Sequence, residues 1–437
     1  MNGNNSLSVL DELQAPTREE FYTNYPFFKY WNRENNEELQ QPDPINLYIH
    51  IPYCIQICDY CFYNKELIKS QDQVNEYVDY LCREIQMVSE RYSLKNRLIN
   101  SIYIGGGTPS VLTEPQFRKL IETLHKYLKV DNPEFTFEAE PGTFREKKIK
   151  LYQECGVNRI SMGVQAFNDE IIKLSSRHHT VEQAFRSIDI INEVGGIKTN
   201  VDLLSGLLGE TMSTWNGTLD HALNLDIDMI TIYKLKTYAN TNFFKKGVMK
   251  NEIDLPSAEE EVEYMSHALT RLESSDFQSW TTFAFAKEGT SHSYVERTWR
   301  GEDLFAFGVS GFGKIGGLTY QNLNNTKLYY QNIDKEKLPI FRSFKLTHKD
   351  QIVRELLLCA IRLNSYTTKE FEQKFGFNYL NFVPDTIEML SNHGYLHVEN
   401  DDVVLTKKGI LYGDFISKVI AEGVKNRMGA DKMDFVY

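Results

Sequence analysis

Cysteine is scarce in this 437-residue chain, six in all, and the 48 Lys and Arg are outnumbered by 60 Asp and Glu for a net charge of −12. That acidic balance excludes a general polyanion binder, because affinity for nucleic acid rests on clustered cations. No run of about 18 apolar residues occurs, which excludes a membrane-spanning helix. The opening stretch, MNGNNSLSVLDELQAPTREE, lacks the basic head and apolar core of a signal peptide. The expected compartment is therefore the cytosol, where thiols stay reduced and cysteines do not form a disulfide framework. Cys82, Cys155 and Cys359 stand singly in helix-like stretches and read as small buried hydrophobes.

What is present is an alternation of short β-rich runs with longer helical ones. Residues 1–44 form an expected N-terminal arm ending in the polar stretch NRENNEELQQPDP, which suits a linker. From 45 to 276 the strand-like runs are INLYIHIP, NSIYIGGG, EFTFEAEP, RISMGVQ, KTNVDLLSGL and MITIYKLK, with helix-like segments such as QVNEYVDYLCREIQMVSERY and TVEQAFRSIDIINEVG between them. Such β-α repeats imply parallel strands joined by right-handed crossovers. The polar motifs follow the C-terminal ends of the strands, which meet at one mouth in a full or partial barrel but are spread out in a doubly wound sheet. The expected fold is thus α/β, a partial (β/α)6 TIM-like barrel. Residues 277–345, rich in aromatics and glycine, are expected to supply strands and loops closing one side. Residues 346–437 read as helices followed by a hairpin, a winged-helix-like module whose charge does not favour DNA.

Half of the cysteines lie in one short stretch, CIQICDYCFY, after the first strand-like run. Three thiolates so close can bind zinc if a fourth ligand comes from elsewhere, or an iron–sulfur cluster with one iron left open. A chance grouping of core thiols is a third reading. Structural zinc sites favour two separated cysteine pairs, and no second cluster of cysteines exists.

Cys54-x-x-x-Cys58-x-x-Cys61, with Tyr60 before the last cysteine, resembles the cluster loop of radical S-adenosylmethionine (SAM) enzymes. YIHIPYC, GGGTPS, EAEPGT, GVNRISMGVQAFND, SSRHHT, NVDLLSGLLGET and LFAFGVSGFG follow in order. Together they resemble the oxygen-independent coproporphyrinogen III oxidase family over about two thirds of the chain. The resemblance implies that Cys54, Cys58 and Cys61 hold a [4Fe-4S] cluster whose open iron chelates SAM for reductive cleavage to a 5′-deoxyadenosyl radical. It places Tyr48, Gly106, Glu138 and Phe312 at a first SAM, and Tyr60, Gly107, Thr108, Gln165, Arg177 and Asp202 at a second. Tyr48, Arg177 and His179 are the candidate catalytic residues; His179, beside Arg177, reads either as a proton shuttle in the useful pKa range or as a solvent-facing histidine. His50 reads as a support of the cluster loop. Tyr22, Tyr25, Phe27, Phe28 and Tyr30 are candidates either to cover a flat apolar substrate or to dock the arm.

Several reactions run on this scaffold. Decarboxylases of this family typically carry a further cysteine where this chain has Tyr63, a departure that lowers the decarboxylase reading. GVSGFGKIGG resembles the haem-degrading methyltransferase branch, and FYTNYP resembles a segment of the decarboxylase arm. The leading expectation is methyl or methylene transfer from a second SAM to an organic small molecule, as in the methyltransferases and cyclopropane-forming relatives. The alternatives are oxidative decarboxylation of coproporphyrinogen III and haem binding as a chaperone. An electron donor such as flavodoxin or ferredoxin is implied, and a monomer is expected.

Overall fold

The computed structural model describes residues 22–33, 39 and 45–429; the expected linker and most of the expected arm lie outside them. The chain divides into two compact units. One comprises Asn32–Pro256 with Gly289–Lys345; the other comprises Ser257–Glu288, Leu346–Tyr437 and the segment ending at Trp31.

The first unit is α/β. Strands β1 (Ile45–Ile51), β2 (Ile99–Gly106), β3 (Glu134–Ala139), β4 (Arg159–Gln165), β5 (Lys198–Ser205) and β6 (Met229–Lys234) pair in parallel in chain order. All six are the strands expected from sequence, and this is the strand order of a partial barrel. The intervening helices are α1 (Gln71–Tyr92), α2 (Glu114–Tyr127), α3 (Glu146–Glu154), α4 (Asp169–Leu174), α5 (Val181–Val194) and α6 (Met212–Leu223).

Strand periodicity explains why a polar site can sit inside an apolar fold. Successive side chains point to opposite faces. Leu47, Ile49, Phe135, Phe137, Ile160, Met162, Val201 and Leu203 are buried. On that face Phe137 meets Phe117 of α2 at 5.4 Å and Tyr152 of α3 at 4.5 Å between ring centroids, and each such burial contributes roughly 1.5–3 kcal/mol. The alternate positions are polar: Asn46, Tyr48 and His50 on β1, Thr136 and Glu138 on β3, Arg159 and Ser161 on β4, Asn200 and Asp202 on β5. The helices start on sequence-encoded caps. Ser70 accepts from Gln73 N at the start of α1, and Thr113 with Gln116 and Thr180 with Gln183 form capping boxes for α2 and α5.

Beyond β1 the sheet continues through β7 (Asp303–Phe307), parallel to β1, and then antiparallel β8 (Phe312–Ile315), β9 (Leu318–Asn322) and β10 (Ile340–Lys345). The glycine-rich turn between β7 and β8 is tied to α1. Buried Glu84 accepts from Gly308 N at 2.7 Å, Asn322 Nδ2 at 3.2 Å and Tyr329 OH at 2.7 Å. Burial pushes its carboxyl pKa up to about 7, although those donors oppose the rise. Gly308 has φ +85°, and a Cβ there would lie 2.4 Å from Tyr77 OH, so the turn requires glycine.

The second unit contains an antiparallel pair, Phe277–Ser279 with Ala284–Lys287. Helices His348–Glu355, Thr368–Phe375 and Pro384–Asn392 follow, then the hairpin Leu396–Glu399 with Asp402–Leu405 and the helices Lys407–Leu411 and Gly413–Arg427. This is the expected order of helices and wing. The arm aromatics are docked here: Tyr22 and Tyr25 are buried, Tyr22 N donates to Asp414 Oδ1 at 3.1 Å, and Arg362 Nη1 donates to Tyr22 O at 2.6 Å. Of the two roles open to these rings, docking is the one these two perform. Among the described residues no helix is long and apolar enough to cross a membrane.

Candidate functional site

The strand ends of the first unit bring three groups of side chains together. The first is a cradle at β1–β3. Gly106 N donates to Glu138 Oε2 at 2.9 Å, and Tyr103 OH donates to Glu138 Oε1 at 2.6 Å. Tyr48 stacks on Tyr103 with centroids 6.0 Å apart, and its hydroxyl lies 3.0 Å from His50 Nδ1. The other ring nitrogen, Nε2, faces the Asn64 carbonyl at 3.2 Å. A carbonyl only accepts, so Nε2 carries the proton and Nδ1 accepts from Tyr48. Burial holds the His50 pKa down at about 4, so the ring is neutral. His50 thus links strand β1 to the Asn64 carbonyl at the far end of the cysteine loop. Burial also pushes the Glu138 carboxyl up to about 7. Its two remaining lone-pair directions suit a bound ammonium group.

Glycine is required here for space. Gly106 has φ +118°, and a Cβ would fall 2.5 Å from the His50 ring; a Cβ on Gly107 would fall 2.8 Å from the Pro52 and Tyr53 backbone. Gly107 N donates to Ile51 O at 2.7 Å and Thr108 N to Tyr53 O at 2.8 Å, so the GGGT turn is sewn to the segment entering the cysteine loop.

The second group surrounds the thiols. Arg177 lies between the strand ends and the cysteine loop and is held from several sides. Nη1 reaches Tyr60 OH at 2.9 Å and Cys58 Sγ at 3.6 Å, Nη2 reaches Gly163 O at 2.7 Å and Glu140 Oε1 at 3.2 Å, and Nε reaches His179 Nδ1 at 3.4 Å. Burial works against its charge, but Tyr60, Cys58 and Glu140 outweigh it and hold the pKa above the usual guanidinium value. Glu140 also accepts from Gln56 Nε2 at 3.0 Å and Thr108 Oγ1 at 3.4 Å. Burial alone would raise its pKa; His179 and Arg177 bring it below the usual carboxylate value. His179 is buried, and that burial lowers its own pKa. Gln165, at φ +70°, stands beside Gly163, with its Nε2 2.9 Å from where a Gly163 Cβ would be.

The third group lies deeper on the polar face. Asp202 accepts from Ser161 Oγ at 3.0 Å and Asn200 Nδ2 at 2.8 Å, and burial raises its carboxyl to about 6. Phe312, at the start of β8, is 39% exposed.

Among the described residues no three His, Cys, Asp or Glu side chains are grouped as around a single metal ion. A cubane cluster makes a different demand, because each thiolate binds a separate iron corner. The loop suits that demand chemically. Its three thiols are free, and burial, helped by the nearby Cys61 and Cys58, brings Cys54 up to about 12, so its thiolate form calls for bound cationic metal. Arg177 beside Cys58 and the Lys65 ammonium on the Cys61 carbonyl supply positive charge and sulfur hydrogen bonding of the kind that tunes such clusters.

Sequence reasoning singled out Glu138 in EAEPGT but passed over Glu140, which is the hub of the second group. The period of two carried on from Glu138 is the available signal. Tyr103 was likewise hidden inside an apolar strand.

The Radical SAM superfamily model matches residues 48–222. The haem chaperone HemW of Bacillus subtilis is 32% identical over 369 residues, 84% of this chain and 96% of the relative. The oxygen-independent coproporphyrinogen III oxidase of Escherichia coli K12 is 27% identical over 416 residues, 89% of this chain and 90% of the relative. The solved structure of coproporphyrinogen III oxidase (HemN) from Escherichia coli, described as a radical SAM enzyme, superposes with a TM-score of 0.79 at 24% identity, covering 92% of this chain and 96% of that one.

Proposed function

The chain belongs to the radical SAM superfamily, in the group that includes HemW and the oxygen-independent coproporphyrinogen III oxidases, and from that premise we propose that it abstracts hydrogen from a tetrapyrrole or similar flat organic substrate. Cys54, Cys58 and Cys61 would hold a [4Fe-4S] cluster, and Glu138 with the Gly106 turn would receive the amino group of SAM. When bound, the cluster supplies the electron that cleaves the SAM sulfonium to the hydrogen-abstracting 5′-deoxyadenosyl radical. The chain's own contribution is placement. Gly106 and Gly107 let the backbone approach the ligand, Glu138 fixes its ammonium, and His50 holds β1 against the cysteine loop. The observation that carries this reading is the Gly106–Glu138–Tyr103 cradle built on the same turn that is sewn to the cysteine loop.

Methyl or methylene transfer needs a second SAM at Tyr60, Gly107, Thr108, Gln165, Arg177 and Asp202. Arg177 is ion-paired with Glu140, so this reading requires the pair to open if a ligand carboxylate is to take the place of Glu140. Haem binding without turnover is supported by the 32% identity to a haem chaperone over 96% of that protein.

The test is mass spectrometry of anaerobic reactions of the iron- and sulfide-reconstituted protein with a strong reductant and SAM, with coproporphyrinogen III or haem added separately. Substrate-dependent 5′-deoxyadenosine without S-adenosylhomocysteine supports the proposal. Both products together would identify methyl transfer. Haem retention with neither product would identify a chaperone and overturn the enzymatic reading.

A further inference from the structure

From Lys234 to Lys250 the chain carries five lysines (234, 236, 245, 246 and 250) and no acidic residue, in a protein of net charge −12. This stretch follows β6 and ends in the wide π-helical turn Phe244–Met249. It is clamped onto the cysteine loop. Phe243 N donates to Asp59 O at 3.0 Å, Asn242 Nδ2 to Asp59 Oδ1 at 2.8 Å, and Lys246 Nζ to Asp59 Oδ2 at 3.1 Å. Asn240 Nδ2 donates to Phe62 O at 3.0 Å, and the Tyr238 ring lies 4.2 Å from that of Phe62. Asp59 and Phe62 bracket Cys61, so the basic stretch holds the loop that carries two of the three thiols.

The outward side of the turn combines charge with apolar surface. Lys245 and Lys250 are exposed, and between them Val248 is 60% and Met249 70% exposed. An apolar centre rimmed by Lys245 and by Lys250, the latter 3.4 Å from Glu252, suits brief protein contacts, in which charge steers the encounter and a small area makes release fast. An acidic partner is repelled by the rest of this acidic protein, so a local positive patch decides where it lands.

We propose that residues 234–250 are the docking surface for an acidic one-electron carrier protein, which delivers its electron to the cluster through the clamped cysteine loop. The inference rests on the cluster assignment made above. One electron passes from the carrier's reduced centre to the cluster; the carrier is oxidised by one electron, the cluster is reduced by one, and no bond forms or breaks.

The experiment uses full-length reconstituted protein, an acidic flavodoxin as probe, and the double variant Lys245→Glu/Lys250→Glu, which leaves the Lys246–Asp59 pair intact. Binding of oxidised flavodoxin is measured by calorimetry at low salt, and cluster reduction by stopped flow with either reduced flavodoxin or dithionite. The double variant should weaken binding and slow reduction by flavodoxin at least tenfold while leaving dithionite reduction unchanged. Glu252→Lys, which removes the acidic neighbour 3.4 Å from Lys250, should tighten binding two- to fivefold, a gain that misfolding cannot produce. Changes below twofold in both variants would overturn the proposal, as would tighter binding of an RNA oligonucleotide or of anionic lipid vesicles than of flavodoxin. Binding is read without the cluster, so a protein that binds flavodoxin but takes up no iron refutes the cluster assignment and not the docking surface.

Discussion

Arg177 and Glu140 meet at 3.2 Å between the strand ends and the cysteine loop, both nearly enclosed, with side-chain exposures of 8% and 13%. A pair so placed is worth little against a well-packed apolar substitute, but removing one partner leaves a buried charge uncompensated. Its effect is therefore conditional: it holds the cysteine loop in shape, and Glu140 occupies the side of the guanidinium that a ligand carboxylate would need.

Glu140→Gln tests that role. The substitution keeps the shape and the hydrogen bonding to Gln56 and Thr108 but removes the charge facing Arg177. The unloaded protein should lose on the order of 1–3 kcal/mol of stability, read as a lower thermal midpoint. If Arg177 serves a second SAM, the same variant should bind that molecule more tightly, because the competing carboxylate is gone. Unchanged stability would show that the pair is not closed in solution.

The cluster assignment separates two classes of cysteine. Cys58→Ala should abolish iron binding, the brown colour of a thiolate-ligated iron cluster, and all SAM cleavage. Cys82 lies in α1 with its sulfur 3.9 Å from the Lys119 carbonyl, away from the strand ends. Cys82→Ala should keep the chromophore and lose only a packing contribution of about 1 kcal/mol. Loss of iron from the Cys82 variant instead would overturn the ligand set.

Glu138 gives the site a pH dependence of definite sign. Its carboxyl is raised from the ordinary 4.5 to about 7 by burial, so the folded state binds its proton more tightly than the unfolded chain. Stability from this group is present in full below the unfolded value and is lost as pH rises through about 7. The loss is at most ~3 kcal/mol, and smaller to the extent that water reaches the carboxylate. A bound ammonium reverses the preference by favouring the ionised form. SAM affinity should therefore rise by roughly tenfold between pH 6 and 8, and Glu138→Gln should flatten the profile while weakening binding. A profile that stays steep in the variant would assign the titration to another group.

How much of this was legible in the sequence varies with the kind of signal. The six parallel strands were, because each alternates apolar and polar residues between clear helical runs, as in EFTFEAEP. The cysteine loop and GGGT turn were legible because their constraints are local: thiol spacing and the absence of Cβ atoms. Glu140 and Tyr103 were not, since their importance comes from Arg177, in the loop between α4 and α5, and from Glu138, on the neighbouring strand β3. Glu84 was hidden for the same reason. A charge in the middle of the amphipathic α1 looks like a solvated position until its partners Gly308 and Tyr329 arrive from more than two hundred residues away.

Gly106 is the most severe steric test of the cradle. At φ +118° an L side chain is strained, and the added Cβ would sit 2.5 Å from His50 Cε1 and 2.6 Å from Nδ1, inside van der Waals contact. His50 cannot easily retreat, because Tyr48 and the Asn64 carbonyl hold its two nitrogens and the Tyr77 hydroxyl holds its backbone carbonyl at 2.7 Å. Either β2 shifts and breaks the Gly106 N to Glu138 bond, or the imidazole leaves and releases the cysteine loop. Gly106→Ala should destabilise the protein by about 2–4 kcal/mol, combining backbone strain with overpacking. His50→Ala in the same chain should recover part of that loss by removing the obstructing ring. Measured by chemical denaturation, equal and additive losses in the single and double variants would mean that the two residues are not in contact; partial rescue would establish the steric coupling that fixes the cradle to the loop.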